Sequence, residues 1–207
     1  MHQTGRPTAL ADALIPKGTV AANVALDAVL IVGFAALTGL SAKIAIYLNP
    51  AVPITGQTFA VLMTGAVLGS KRGMASMLVY LGTGIAGVPV FAPSGPIAHS
   101  SLGYLIGYPV AALIVGLLVE RGWGRNPVKL AAAMFSGEVA IYAFGLPWLA
   151  FYIPAAEMVD RTRLAVVYDW GLEGFIVGDT IKLVLAASGV PLVWAAIRRL
   201  KGEDEPT

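Results

Sequence analysis

Residues 174–197 read GFIVGDTIKLVLAASGVPLVWAAI, and inside them stands Gly178-Asp179-Thr180-Ile181-Lys182. The stretch is long enough to cross a bilayer as a helix, which takes about 20 apolar residues. Three-residue spacing puts Asp179 and Lys182 on one helix face. Charge at membrane depth costs roughly 2.5–3.5 kcal/mol per residue on insertion scales. A cost of that size calls for a partner or a task. The pair therefore marks either a polar binding site inside a helical bundle or a structural ion pair.

Composition carries the membrane reading to the whole chain. Of 207 residues, 57% are hydrophobic and 13% charged, against about 25% charged in soluble domains. The expectation is one integral membrane domain. A net charge of +2, with the basic residues spread over loops, argues against a nucleic-acid partner. The chain has no cysteine, which excludes disulfides, thiolate metal sites and cysteine nucleophiles. His2 and His99 are far apart, so no histidine-based metal site is expected. The opening MHQTGRPTALADALIPKG has no long apolar core followed by a small-residue cleavage site, so no cleaved signal peptide is expected.

Six apolar stretches follow one another at about 21–42, 57–68, 74–88, 101–119, 128–151 and 174–197. The fold expected is an all-α integral membrane bundle of six transmembrane helices. Residues 1–20 form a cytoplasmic N-terminal segment, 21–197 the membrane domain and 198–207 a charged cytoplasmic tail. The first loop, 43–56, carries Asn49-Pro50 and Val52-Pro53 as breakers. Gly69-Ser70-Lys71-Arg72-Gly73 reads as a tight basic turn. Residues 89–100 hold three prolines and Gly95, too many for regular helix. The connection 152–173 is long and charged, with an amphipathic turn expected around 155–167. The second and third stretches are short of a full span, which points to first and third loops that dip into the membrane. Backbone of that kind is tolerated only where protein or a water-filled cavity covers it. Either these two loops roof a pocket, or both helices simply extend into their loops.

Lys and Arg set the orientation. Six spans place Arg6, Lys17, Lys71, Arg72, Arg121, Arg125, Lys129, Arg198, Arg199 and Lys201 on one side, and Lys43, Arg161 and Arg163 on the other. Both termini are therefore expected in the cytoplasm, in a multi-pass protein of the cytoplasmic (inner) membrane. The sixth helix then enters from outside. Asp179 and Lys182 lie roughly 8–12 Å along it, in the outer half of the bilayer, at 1.5 Å per residue.

An acceptor and a donor on one face, Asp179 and Lys182, can hold a polar solute. Glu138 is the other deep charge, and its role is open among a proton relay, a bundle contact and a partner for Lys182. Asp27, near the inner end of the first helix, is expected to face water or headgroups. Thr55, Gln57 and Thr58 open the second helix, either to satisfy its free N–H groups or to face a pocket. Phe91, Tyr104, Tyr142 and Trp148 are candidate apolar walls. Small residues four apart, Ala21 with Ala25 and Ala35 with Gly39, suit either docking of a membrane partner or internal packing. No nucleophile–base set or phosphate-binding loop is present, so ATP hydrolysis, if used, belongs to partner chains.

At these residues the chain resembles a known family. Ser41-Ala42-Lys43-Ile44-Ala45-Ile46 followed by Val52-Pro53-Ile54-Thr55-Gly56-Gln57-Thr58 is similar to the first loop of BioY, the biotin-binding S-component of energy-coupling factor (ECF) transporters. Similar too are Tyr80-Leu81 through Gly87-Val88-Pro89-Val90-Phe91, and Gly103-Tyr104-Leu105-Ile106-Gly107. Ile141-Tyr142 with Gly145-Leu146-Pro147-Trp148-Leu149-Ala150 looks like the family's fifth helix, and Gly178-Asp179-Thr180-Ile181-Lys182 like its sixth. The ordered match covers about residues 35 to 190. It implies a substrate-binding subunit for biotin uptake, not an enzyme and without a cofactor of its own. The implied partners are biotin, a membrane T-component, two cytoplasmic ATPases and membrane lipid, with a homo-oligomer also open. Asp179 and Lys182 inherit the family's biotin contacts, with Tyr142, Gln57 and Phe91 behind them. Two places depart from the pattern. The third loop, 92–102, lacks the family's Gly-rich run and its basic residue, and Lys43 stands where a neutral residue is expected. Two other classes stay open: a stand-alone or proton-coupled small-solute transporter using Glu138 and Asp179, and a structural intramembrane subunit.

The orientation is tested with a reporter active only outside the cytoplasm, fused after Thr207. It should be silent; strong activity would overturn the six-span arrangement.

Overall fold

The computed structural model describes residues 9–14, 18–93, 99–158 and 160–200. His2, Arg6, Lys17, Lys201, the tail beyond residue 200 and residues 94–98 of the third loop lie outside it. The described chain is helical apart from one small hairpin. Its order is α1 (Leu10–Leu14), α2 (Val20–Ser41), β1 (Ala45–Ile46), β2 (Ile54–Thr55), α3 (Gln57–Leu68), α4 (Ser70–Ile85), α5 (Leu102–Glu120), α6 (Pro127–Tyr152), α7 (Arg163–Tyr168) and α8 (Gly174–Leu200). The spans Val20–Ser41, Leu102–Glu120, Pro127–Tyr152 and Arg163–Ile197 are long and apolar enough to cross a membrane. The protein is multi-pass. Helices α3 and α4, with 12 and 16 residues, rise about 18 and 24 Å.

The helix starts follow local chemistry. Thr19 caps α2 by accepting from the Ala22 N–H, and Asn126 caps α6 by accepting from Val128 and Lys129, with Pro127 at the first helical position. The expected turn at 69–73 is instead a single hinge residue. Gly69 sits at φ 82° and ψ −175°, a region essentially closed to side-chain-bearing residues, and α4 begins at once. Lys71 and Arg72 therefore fall in the first turn of a helix, the wrong end for positive charge. Carboxylates offset this. Glu120 accepts from the Ser70 N–H at 2.7 Å, and Arg72 pairs with Asp12 at 2.7 Å and Asp27 at 2.8 Å. Asp27, expected to face water or headgroups, is half-exposed and also pairs with Arg72.

Helix α5 packs against α3, α4 and α6, and glycines set how close they come. A Cβ on Gly65 would meet the Ala112 carbonyl oxygen at 2.6 Å, and one on Gly107 the Ile141 backbone at 3.0 Å. Small residues let helices approach in this way. Below α5's midpoint, toward residues 115–119, lies one core cluster with Leu62, Met134 and Trp194; a second gathers Tyr80, Tyr104, Tyr108, Ile141 and Trp170 at the other end.

Around that second cluster the loops fold inward. The first loop is an antiparallel hairpin, Ala45 opposite Thr55 and Ile46 opposite Ile54, which the loop's prolines had hidden. Ala51 and Val52 are buried. The expected breaker Asn49 organises the bend: its Oδ1 accepts from Ala51 and Val52, and its Nδ2 donates to the Trp170 carbonyl at 3.0 Å. The connection 152–173 is more helical than expected, with α7 running into a π-helical turn at Asp169–Glu173. Helix α4 ends at Ile85, three residues before the expected 88, and α8 runs to Leu200, past the expected 197. Ala35 and Gly39 are buried, Gly39 against Val90, so their spacing serves internal packing; Ala21 and Ala25 are exposed.

The close packing is testable. A Cβ on Gly116 would collide with the Gly69 and Ser70 backbone, whereas Gly33 has open space around it. Gly116→Val should cost about 1–3 kcal/mol, or roughly 2–12 °C in detergent melts of a chain this size. Gly33→Val should melt like the parent. Equal melting of the two variants would contradict this packing.

Candidate functional site

The second cluster encloses a cavity of about 320 Å³. The first-loop hairpin, the start of α3, the end of α4, residues 91–93, and helices α5, α6 and α8 all contribute to its wall. Its apolar sides come from Phe91, Leu105, Tyr108, Ile141 and Phe175.

One patch of the wall is polar. Lys182 is joined to Asp179 at 3.0 Å, as their spacing predicted, and to the Thr58 hydroxyl at 2.9 Å. The Tyr142 hydroxyl donates to the other Asp179 oxygen. Three elements thus meet: α8 supplies the ion pair, α3 supplies Thr58 and α6 supplies Tyr142. Lys182, Tyr142 and Thr58 line the cavity, and Asp179 stands immediately behind them, 4% exposed. A carboxylate accepting from a phenol makes that phenol oxygen a better acceptor, because hydrogen bonds in a chain polarise one another. The patch therefore offers a cationic donor beside an electron-rich acceptor.

Gln57 and Phe91 also line the cavity. The Gln57 amide is already engaged: Oε1 accepts from Thr55 at 2.9 Å, and Nε2 donates to the Tyr80 hydroxyl. Thr55 also accepts from the Gln57 N–H at 3.2 Å and so serves the helix start. Phe91 meets Tyr80 edge-on at 5.5 Å, and its ring occupies the space that a side chain on Gly84 would need. Trp148 is not a cavity wall. Its indole N–H donates to the His99 carbonyl at 2.9 Å and fixes the far end of the third loop. Glu138 is 7% exposed, and its Oε1 has no hydrogen-bond partner among the described residues. It lies within Coulombic reach of Asp179 and Lys182.

The sequence reading passed over Tyr108 and Phe175. Tyr108 lies four residues after Tyr104, and that i, i+4 repeat was the available signal. Phe175 carried none, because one aromatic in an apolar stretch looks the same facing lipid or cavity. Nor did the sequence show Lys43's place: its Nζ donates to the carbonyls of Pro89 at 2.6 Å and Phe91 at 3.0 Å.

The chain is similar to known proteins. The profile of the BioY family matches residues 14–199. A Lysinibacillus sphaericus protein described as a probable biotin transporter BioY is 40% identical over 183 residues, covering 85% of this chain and 92% of its own length. A biotin transporter BioY from Rhizobium etli is 35% identical over 175 residues, covering 78% and 89%. Among solved structures, the S-component for biotin from an ECF-type ABC transporter superposes with a TM-score of 0.68 over 91% of this chain and 96% of its own, at 21% identity. At that identity the likeness concerns the fold.

Tyr142→Phe removes one donor from buried Asp179. A hydrogen bond to a charged group contributes about 1.5–3 kcal/mol, so the variant should melt several degrees below the parent without any solute present. Unchanged melting would mean that the hydroxyl does not support the ion pair.

Proposed function

The chain belongs to the BioY family, and from that premise we propose that it takes up biotin across the cytoplasmic membrane as the substrate-binding subunit of an ECF-type ABC transporter. The observation that carries the reading is the polar patch of Lys182, Asp179, Tyr142 and Thr58 in an otherwise apolar cavity. Biotin has matching parts: a ureido ring with two donors and one acceptor, an apolar sulfur ring and a flexible carboxylate chain. Lys182 donates to the ureido oxygen. The Tyr142 oxygen, polarised by Asp179 behind it, accepts from the ureido N–H groups. The 3.0 Å ion pair supports this assignment, because it keeps Lys182 beside Asp179 and away from a carboxylate at the other end of the solute. Phe91, Tyr108 and Phe175 cover the sulfur ring.

The remaining parts of the reading follow from the membrane setting. Helices α2, α3, α4, α5, α6 and α8 are the six spans, with both termini cytoplasmic and the cavity opening outward. The loop segments 43–56 and 86–93 complete the passage that short α3 and α4 leave unfinished. Transport energy comes from ATP hydrolysed on two partner subunits, coupled through a membrane T-component. Ala21 and Ala25, the exposed pair on α2, are the docking positions that remain available for it.

The test is Asp179→Asn, Lys182→Met and their double, measured for biotin affinity and melting temperature. Each single change should weaken biotin binding at least about tenfold, from the loss of about 1.5 kcal/mol or more. The double should stay weak even where its stability recovers. A double variant that binds biotin like the parent would reduce the pair to a structural salt bridge.

A further inference from the structure

Residues 86–93 leave the end of α4 as a strap along the cavity, and Phe91, Ala92 and Pro93 form part of its wall. Lys43 donates to the strap's carbonyls at Pro89 and Phe91, and Tyr47 donates its hydroxyl to the carbonyl of Pro93. These donors belong to the first loop, which is braced in its own right. Its hairpin is paired, Asn49 reaches the Trp170 carbonyl, and Ser100 donates to the Ala51 carbonyl.

The chemistry explains why a lysine serves here. Pro89 has no N–H, so the strap cannot complete a β ladder against the first loop. The strap bends at Pro89 and Phe91, and both carbonyls come within reach of one side chain of the first loop. An ammonium, with three donors and no acceptor, can bridge both. Lys43 does not line the cavity, so it acts on the solute only through the strap. Phe91 is the strap's side chain inside. Its ring rests on Tyr80 in the gap that Gly84 leaves, and it moves out if the strap lifts.

We propose that Lys43 is the latch of this strap: by holding Pro89 and Phe91 to the first loop, it sets how long bound solute stays in the cavity. The inference deepens the biotin reading and rests on it. Lys43 is a positioning residue, and its effect belongs in the dissociation rate, where most affinity differences between related complexes lie. The residue is exposed, so water competes for its bonds, and the expected change is roughly three- to tenfold.

The full chain, purified in detergent, is loaded with tritiated biotin and chased with unlabelled biotin. Lys43→Met should speed release by roughly three- to tenfold while association changes less than about twofold. Lys43→Arg, which still donates to both carbonyls, should restore slow release. Release from Lys43→Met at the parent's rate overturns the latch. So does an acceleration that disappears with the alcohol analogue of biotin, because a direct bond from Lys43 to the solute carboxylate behaves in that way. A second measurement needs no solute. The chain has no cysteine, so a spin label on Val88→Cys reports from one site. Its mobility should rise when Lys43→Met is added, and unchanged mobility overturns the latch. If the parent binds no biotin, the uptake reading falls and the label alone decides the latch.

Discussion

In the six-span arrangement proposed above, helices α3 and α4, which rise about 18 and 24 Å, have to cross a hydrocarbon core about 30 Å thick. This shortfall is the constraint on which the rest of the structure depends. Chain that finishes the passage is not helical, so its backbone polar groups need partners inside the protein. The first loop finds them in its hairpin, in Asn49 and in Ser100. The strap after α4 finds them in Lys43 and Tyr47. Two loops folded into the bundle where two helices stop leave a hollow between them, and that hollow is the cavity.

The hollow explains why a buried ion pair is retained. Taking two charges out of water costs several kcal/mol per ion after relaxation, and attraction offsets this only when the other lone pairs and protons are also bonded. Thr58 and Tyr142 supply those bonds. Well-packed apolar residues would stabilise the fold as well or better. A charged patch facing a cavity is therefore better explained by what it binds than by what it holds together. At the opposite end, Arg72, Asp12 and Asp27 form a half-exposed set that ties α1, α2 and α4 and compensates for basic residues at a helix start.

The sequence disclosed whatever depends on composition and local spacing. Long apolar runs gave the helices to within a few residues, and the i, i+3 relation gave Asp179 with Lys182. The two short runs and their proline-rich neighbours pointed to a roofed pocket. Contacts between distant parts of the chain were not legible. The single-residue hinge at Gly69 was hidden because Lys71 and Arg72 look like turn residues until Asp12, Asp27 and Glu120 are seen beside them. Trp148 looked like a cavity wall because an aromatic at a helix end gives no sign of its partner, which is the His99 carbonyl 49 residues away in sequence. Ala35 and Gly39 could not be told from Ala21 and Ala25 by spacing, and burial separates them.

Titration calorimetry of the purified chain with biotin, repeated at several temperatures, tests the central claim most directly. An apolar cavity closed around the solute predicts saturable binding of a single biotin per chain with a negative heat-capacity change, the marker of apolar burial. Absence of saturable heat at every temperature, with the chain folded, would contradict it.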